Sequence, residues 1–150
     1  MTVITAPATS AAPVVPLRTA LRLDGAGTGV FGVFMLAAAR ALRDPLGLPT
    51  AWSIPFGVAV LGGAIALLLI AGYPEIPVRL GYSVVAVNAA SAVGLIALTW
   101  SGLIDLTGWG IAFLLIGAVF VAVFGALEWV GVRGRSAVRA PGTGGQSPTP

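Results

Sequence analysis

Four long apolar stretches leave this chain few folds to choose from. They run from about residue 23 to 42, 52 to 72, 80 to 100 and 108 to 130. Each matches the ~20 apolar residues needed to cross a ~30 Å hydrocarbon core. Inside that core every backbone N–H and C=O must find its partner within the protein, so only helices and closed barrels span it. The stretches far exceed the ~10-residue alternating strands of a barrel. The expectation is an all-α fold, a four-transmembrane-helix bundle. Composition agrees, because 57% of residues are hydrophobic and 9% charged, against about 25% charged in a soluble domain.

The first stretch is the weakest, since it contains both Asp24 and Arg40. Helix breakers separate the stretches: RDPLGLPT, YPEIPVR and SGLIDLTG. Pro55 is expected in the first turn of its helix, where a missing N–H leaves no gap. Residues 1–16 hold three Pro and no charge, and residues 136–150 are rich in Gly, Ser and Pro. Both read as disordered tails around a membrane domain at 17–135, because they lack the apolar content to offset ordering entropy. The first tail lacks the basic start and apolar core of a secretory leader.

Arg placement sets the orientation. Arg18, Arg22, Arg79, Arg133, Arg135 and Arg139 fall on one side of a four-span topology, and Arg40 and Arg43 on the other. The positive-inside rule then puts both termini in the cytoplasm, N-in and C-in, in a cell (plasma or inner) membrane. The aromatics give an independent check. Trp52, Trp100 and Trp109 land at outer helix ends, while Tyr73, Tyr82 and Trp129 land at inner ends. These are the two aromatic belts of a bilayer.

Small residues recur at four-residue spacing in every span: Gly25 and Gly29; Ala59 and Gly63; Ala86, Ala90 and Gly94; Ala118, Ala122 and Ala126. Such stripes let helices approach closely in lipid, although a chain this rich in Gly and Ala also produces them by chance. GLPTAW and DLTGWG occupy equivalent outer loops, as in two hairpins of like orientation.

The chemistry is sparse. There is no His and no Cys, which removes the commonest general base, thiol chemistry and the usual zinc or iron–sulfur ligands. No catalytic residue, cofactor site or metal site is read. Eight Arg against five acids is a topology signal and no nucleic-acid partner is expected, because that needs basic residues clustered on a polar face. Three polar residues fall inside the spans: Asp24, Asn88 and Glu128. With Arg22 and Arg79 at the same membrane surface they form a candidate polar cluster in the cytoplasmic half, since ionisable groups at membrane depth point to function. Each also has a plain reading. Asp24 could cap its helix, Glu128 could snorkel or pair with Arg133, and Asn88 could be glue between helices.

The order LRLDGAGTGVFGV, LGLP, VVAVNAASAVG and ALEWVGVR resembles a group of small four-helix actinobacterial membrane proteins. The likeness spans about residues 17–135 and implies the fold but no activity. The fold also distantly resembles the DoxX-like membrane proteins, some of which are tied to quinone or redox partners. No catalytic residue of theirs is matched here.

Three functions fit, in this order. The first is a non-enzymatic protein acting by helix association in the lipid bilayer, as a homo-oligomer or an accessory subunit of a membrane complex. The second is a small-molecule or proton-handling protein using Asp24 and Glu128. The third is a quinone- or lipid-site enzyme, which requires a lateral apolar slot with convergent polar groups.

Overall fold

The computed structural model describes residues 16–139, with side-chain surroundings through residue 135. The fold is all helical among the described residues. It comprises α1 (Leu17–Ala37), α2 (Arg43–Leu46), α3 (Thr50–Gly72), α4 (Val78–Trp100) and α5 (Gly108–Arg139). Four of them, α1, α3, α4 and α5, are long and apolar enough to cross a membrane, and the chain is a multi-pass helical membrane protein. Only 33% of the apolar window of α1, and 22% in each of the other three, is buried within the protein. The remaining apolar surface requires lipid around it.

The elements start where local chemistry allows. Pro16, Pro49 and Pro77 stand immediately before α1, α3 and α4 in extended conformation, where a fixed φ and a missing N–H do no harm. Thr107 caps α5, its Oγ1 accepting from the Gly110 N–H at 3.1 Å. At the opposite end Arg18 donates to the carbonyls of Tyr73 (2.5 Å) and Pro74 (2.8 Å), tying the end of α3 to the start of α1. Gly47 ends α2 with φ 65°, a left-handed conformation that suits glycine. The Thr107 N–H reaches Leu46 O at 3.1 Å and its hydroxyl reaches Pro45 O at 2.6 Å, which joins the two loops at that end.

α1 packs most closely along α3 and α4 along α5, and α1 also runs against α5. Gly25, Gly29 and Gly32 make the α1 side of the first pairing, facing Leu68, Ala64 and Leu61. Three apolar cores result. Leu17, Leu21, Leu67, Ala71, Ile76, Val84 and Val132 fill the Arg-rich end. Met35, Leu46, Leu48 and Ile104 fill the Trp-rich end, with Leu95, Leu114 and Ala118 just inside it. Trp52, Trp100 and Trp109 are exposed at one end, and Tyr73, Tyr82 and Trp129 at the other.

Several expectations change. The first span lies at 17–37 and not at 23–42, because Leu17, Ala20 and Leu21 are buried while residues 38–42 form turns. Pro55 falls in the second turn of α3, so it removes the bond Ala51 O would otherwise accept. The small residues Ala59 and Gly63 face outward, as do Ala86, Ala90 and Gly94. The packed faces instead run through Ser53, Gly57, Ala64 and Leu67 on α3, and through Gly81, Val84, Ala92 and Leu95 on α4. On α5 only Ala118 of its stripe is buried. α5 continues to Arg139, into the stretch read as a tail; the tails at 1–15 and 140–150 lie outside the described residues.

Candidate intramembrane polar site

Three helices each contribute one polar side chain to a common point. Asp24 on α1 and Glu128 on α5 are 3% and 0% exposed. Asn88 on α4 bridges them. Its Nδ2 donates to Asp24 Oδ2 at 3.2 Å and to Glu128 Oε2 at 2.8 Å. Both amide hydrogens are thereby used on acceptors, the arrangement two carboxyl groups demand of an amide between them. Accepting from one nitrogen, the two carboxyl groups lie side by side. A fourth member, Thr28, donates its hydroxyl to Asp24 Oδ1 at 2.8 Å. Sequence reading overlooked it, although Asp24 and Thr28 stand four apart on one helix face.

Helical register brings the group together. On α5 the buried positions Leu114, Ala118, Gly125, Glu128 and Val132 follow the three- and four-residue steps of a single face. On α4, buried Gly81, Val84, Ala92 and Leu95 do the same, with half-buried Asn88 on that face. A Cβ on Gly125 would stand 3.2 Å from Asn88 Cβ, so glycine lets α4 and α5 close at this level. One turn towards the Arg-rich end, Leu21, Val84 and Val132 cover the cluster with a buried apolar layer.

Among the described residues one polar atom of this cluster is left over. Glu128 Oε1 is buried and accepts no hydrogen bond. Among the described residues neither acid has an ion-pair partner. Arg22 and Arg79, counted in the candidate cluster from sequence, are exposed and do not join it. Arg133 lies over the Trp129 ring at 4.6 Å and does not pair with Glu128. Asp24 lies two turns inside α1, whose first residue follows Pro16, and so is not a helix cap. Glu128 is buried and does not snorkel.

The other site expectations find little. Among the described residues no group of three or more His, Cys, Asp or Glu gathers as a metal site would. An open groove of about 440 Å³ lies between α1 and α3, lined by Gly25, Gly29, Val33, Leu61 and Leu68 among others. Its lining carries no polar side chain to orient a headgroup or a quinone ring. What the polar cluster can do chemically is hold and release a proton. It has two carboxyl groups, a fixed amide and a hydroxyl, enclosed by apolar side chains.

No family model matches the chain, and no curated protein or solved structure matches it.

Proposed function

We propose that this chain is a proton-handling membrane protein whose exchangeable proton resides on the Asp24–Glu128 pair. The observation that carries this reading is Glu128 Oε1, fully buried, without a donor, beside a second carboxyl group. Two carboxylates sharing an apolar site repel each other, and one proton between them both removes that repulsion and supplies the missing donor. The Asn88 amide then fixes the two remaining oxygens.

Infrared difference spectroscopy tests this. The protein in lipid should show the C=O stretch of a protonated carboxyl group that disappears reversibly on alkalinisation. The band should be absent from Asp24→Asn/Glu128→Gln. A spectrum identical in wild type and double variant would sink the proposal.

We further place both termini in the cytoplasm of a cell membrane, because six of the eight Arg stand at the end of the bundle that carries them. A second reading, association with a second copy, draws support from the outward small residues Ala86, Ala90 and Gly94 of α4. The chain has no Cys, so Ala90→Cys should form an oxidised dimer in membranes if this face pairs. Monomer alone under oxidation would remove that reading.

A further inference from the structure

We propose that the α4–α5 face at the Arg-rich end is a binding site for the headgroup of an anionic phospholipid, held by Arg79 and Arg133 beside the Tyr82–Trp129 ring pair. This inference is independent of the proton site.

The two ring-bearing turns are locked together. Tyr82 and Trp129 meet edge to face with centroids 5.6 Å apart. Beneath them a Cβ on Gly81 would collide with Val132 Cγ2, so the helices are in direct contact here. The rings are each 38% exposed, one side packed and the other outward. This is the position of an amphipathic ring at headgroup depth.

Arg79 precedes Tyr82 by one turn on α4, and Arg133 follows Trp129 by one turn on α5. The helices are antiparallel neighbours, so both Arg lie on the same, more polar side of the rings, about 5 Å beyond them at 1.5 Å per residue. The Arg133 guanidinium stands over the Trp129 ring, its Cζ 4.6 Å from the centroid. That contact restricts the rotamer freedom a phosphate would otherwise have to freeze out. Both Arg are exposed. Two exposed guanidinium groups on the same side of an aromatic pair match a phosphate with acyl chains below it. A zwitterionic headgroup brings its own cation and fits less well.

Trp129 reports the event directly. In a chain carrying Trp52→Phe, Trp100→Phe and Trp109→Phe it is the single Trp. Phosphatidylglycerol titrated into the protein in zwitterionic detergent should shift its emission saturably. Phosphatidylcholine should not. Arg79→Gln/Arg133→Gln should weaken the apparent affinity about 30-fold, from two basic contacts near a lipid surface. Arg40→Gln/Arg43→Gln, at the opposite end, should leave it unchanged. The proposal is overturned if phosphatidylcholine shifts Trp129 equally. The same holds if the Arg79/Arg133 variant binds as wild type does, or if the Arg40/Arg43 variant weakens binding as much. An equal shift from inorganic phosphate at the same concentration would assign the site to free anions and overturn the lipid reading.

Discussion

Asn88 is the residue on which the polar site depends most, because among the described residues it alone donates to both acids. Removing one acid leaves Asn88 bonded to the other. Removing Asn88 leaves two buried carboxyl groups facing each other with two donors lost. Asn88→Leu should therefore lower unfolding stability in detergent by roughly 1–3 kcal/mol, the range for hydrogen bonds to charged or buried partners. Glu128→Gln, which keeps shape and polarity, should lower it by less. An Asn88→Leu protein as stable as wild type would show that the bridge contributes nothing. Asp24, Asn88 and Glu128 stood out in the sequence because polar groups are rare in apolar runs. Their convergence follows from register on three helices. Two features were not legible. Thr28 was hidden because a membrane-helix Thr ordinarily bonds its own backbone four residues back, whereas here the residue four back is Asp24, whose side chain accepts instead. The depth of Asp24 was hidden because Arg18 and Arg22 depress hydropathy over the first turns of α1, although Leu17 and Leu21 are buried there.

At the scale of the helices, glycine decides which faces meet. A Cβ on Gly32 would stand 2.8 Å from Leu61 Cγ and 3.2 Å from the Leu61 backbone nitrogen. Gly63, on the outward face of α3, has nothing within 4 Å. Gly32→Ala should destabilise by roughly 1–3 kcal/mol through overpacking of α1 against α3. Gly63→Ala should be neutral or stabilising by up to about 1 kcal/mol from helix propensity. Thermal unfolding of both in one detergent checks the pair, and equal effects would mean that the α1–α3 approach is not set by glycine. Number and type of the spans were legible, since length and hydropathy suffice for them, but the limits of α1 were not. The inward faces were not. Gly25 and Gly29 do face α3, but Ala59–Gly63 and Ala86–Ala90–Gly94 face away. In so Gly- and Ala-rich a chain several faces are small enough to pack. The choice falls to large partners distant in sequence, such as Leu61 against α1 and Leu95 against α5.

The whole molecule is asymmetric about its polar site. Asp24 lies seven residues from the start of α1 and thirteen from its end, or about 10 Å and 20 Å at 1.5 Å per residue. Towards the Arg-rich end Leu21, Val84 and Val132 cover the cluster, with Leu17, Ala71 and Ile76 packed against them in the same short stretch. Towards the Trp-rich end stand Leu95, Leu114 and Ala118, and beyond them Met35, Leu46, Leu48 and Ile104. A proton exchanging with bulk water would meet the thinner barrier at the Arg-rich end. The side that end faces therefore fixes the direction of exchange. Six Arg against two predict the cytoplasm, and the absence of Cys makes the question clean. Pro74→Cys lies in the loop between α3 and α4 at the Arg-rich end, and Ser101→Cys in the loop after α4 at the other. In intact cells a membrane-impermeant maleimide should label Ser101→Cys and leave Pro74→Cys untouched until the membrane is opened. Labelling of Pro74→Cys in intact cells would invert the molecule, and with it the compartment from which the proposed Asp24–Glu128 proton would be drawn.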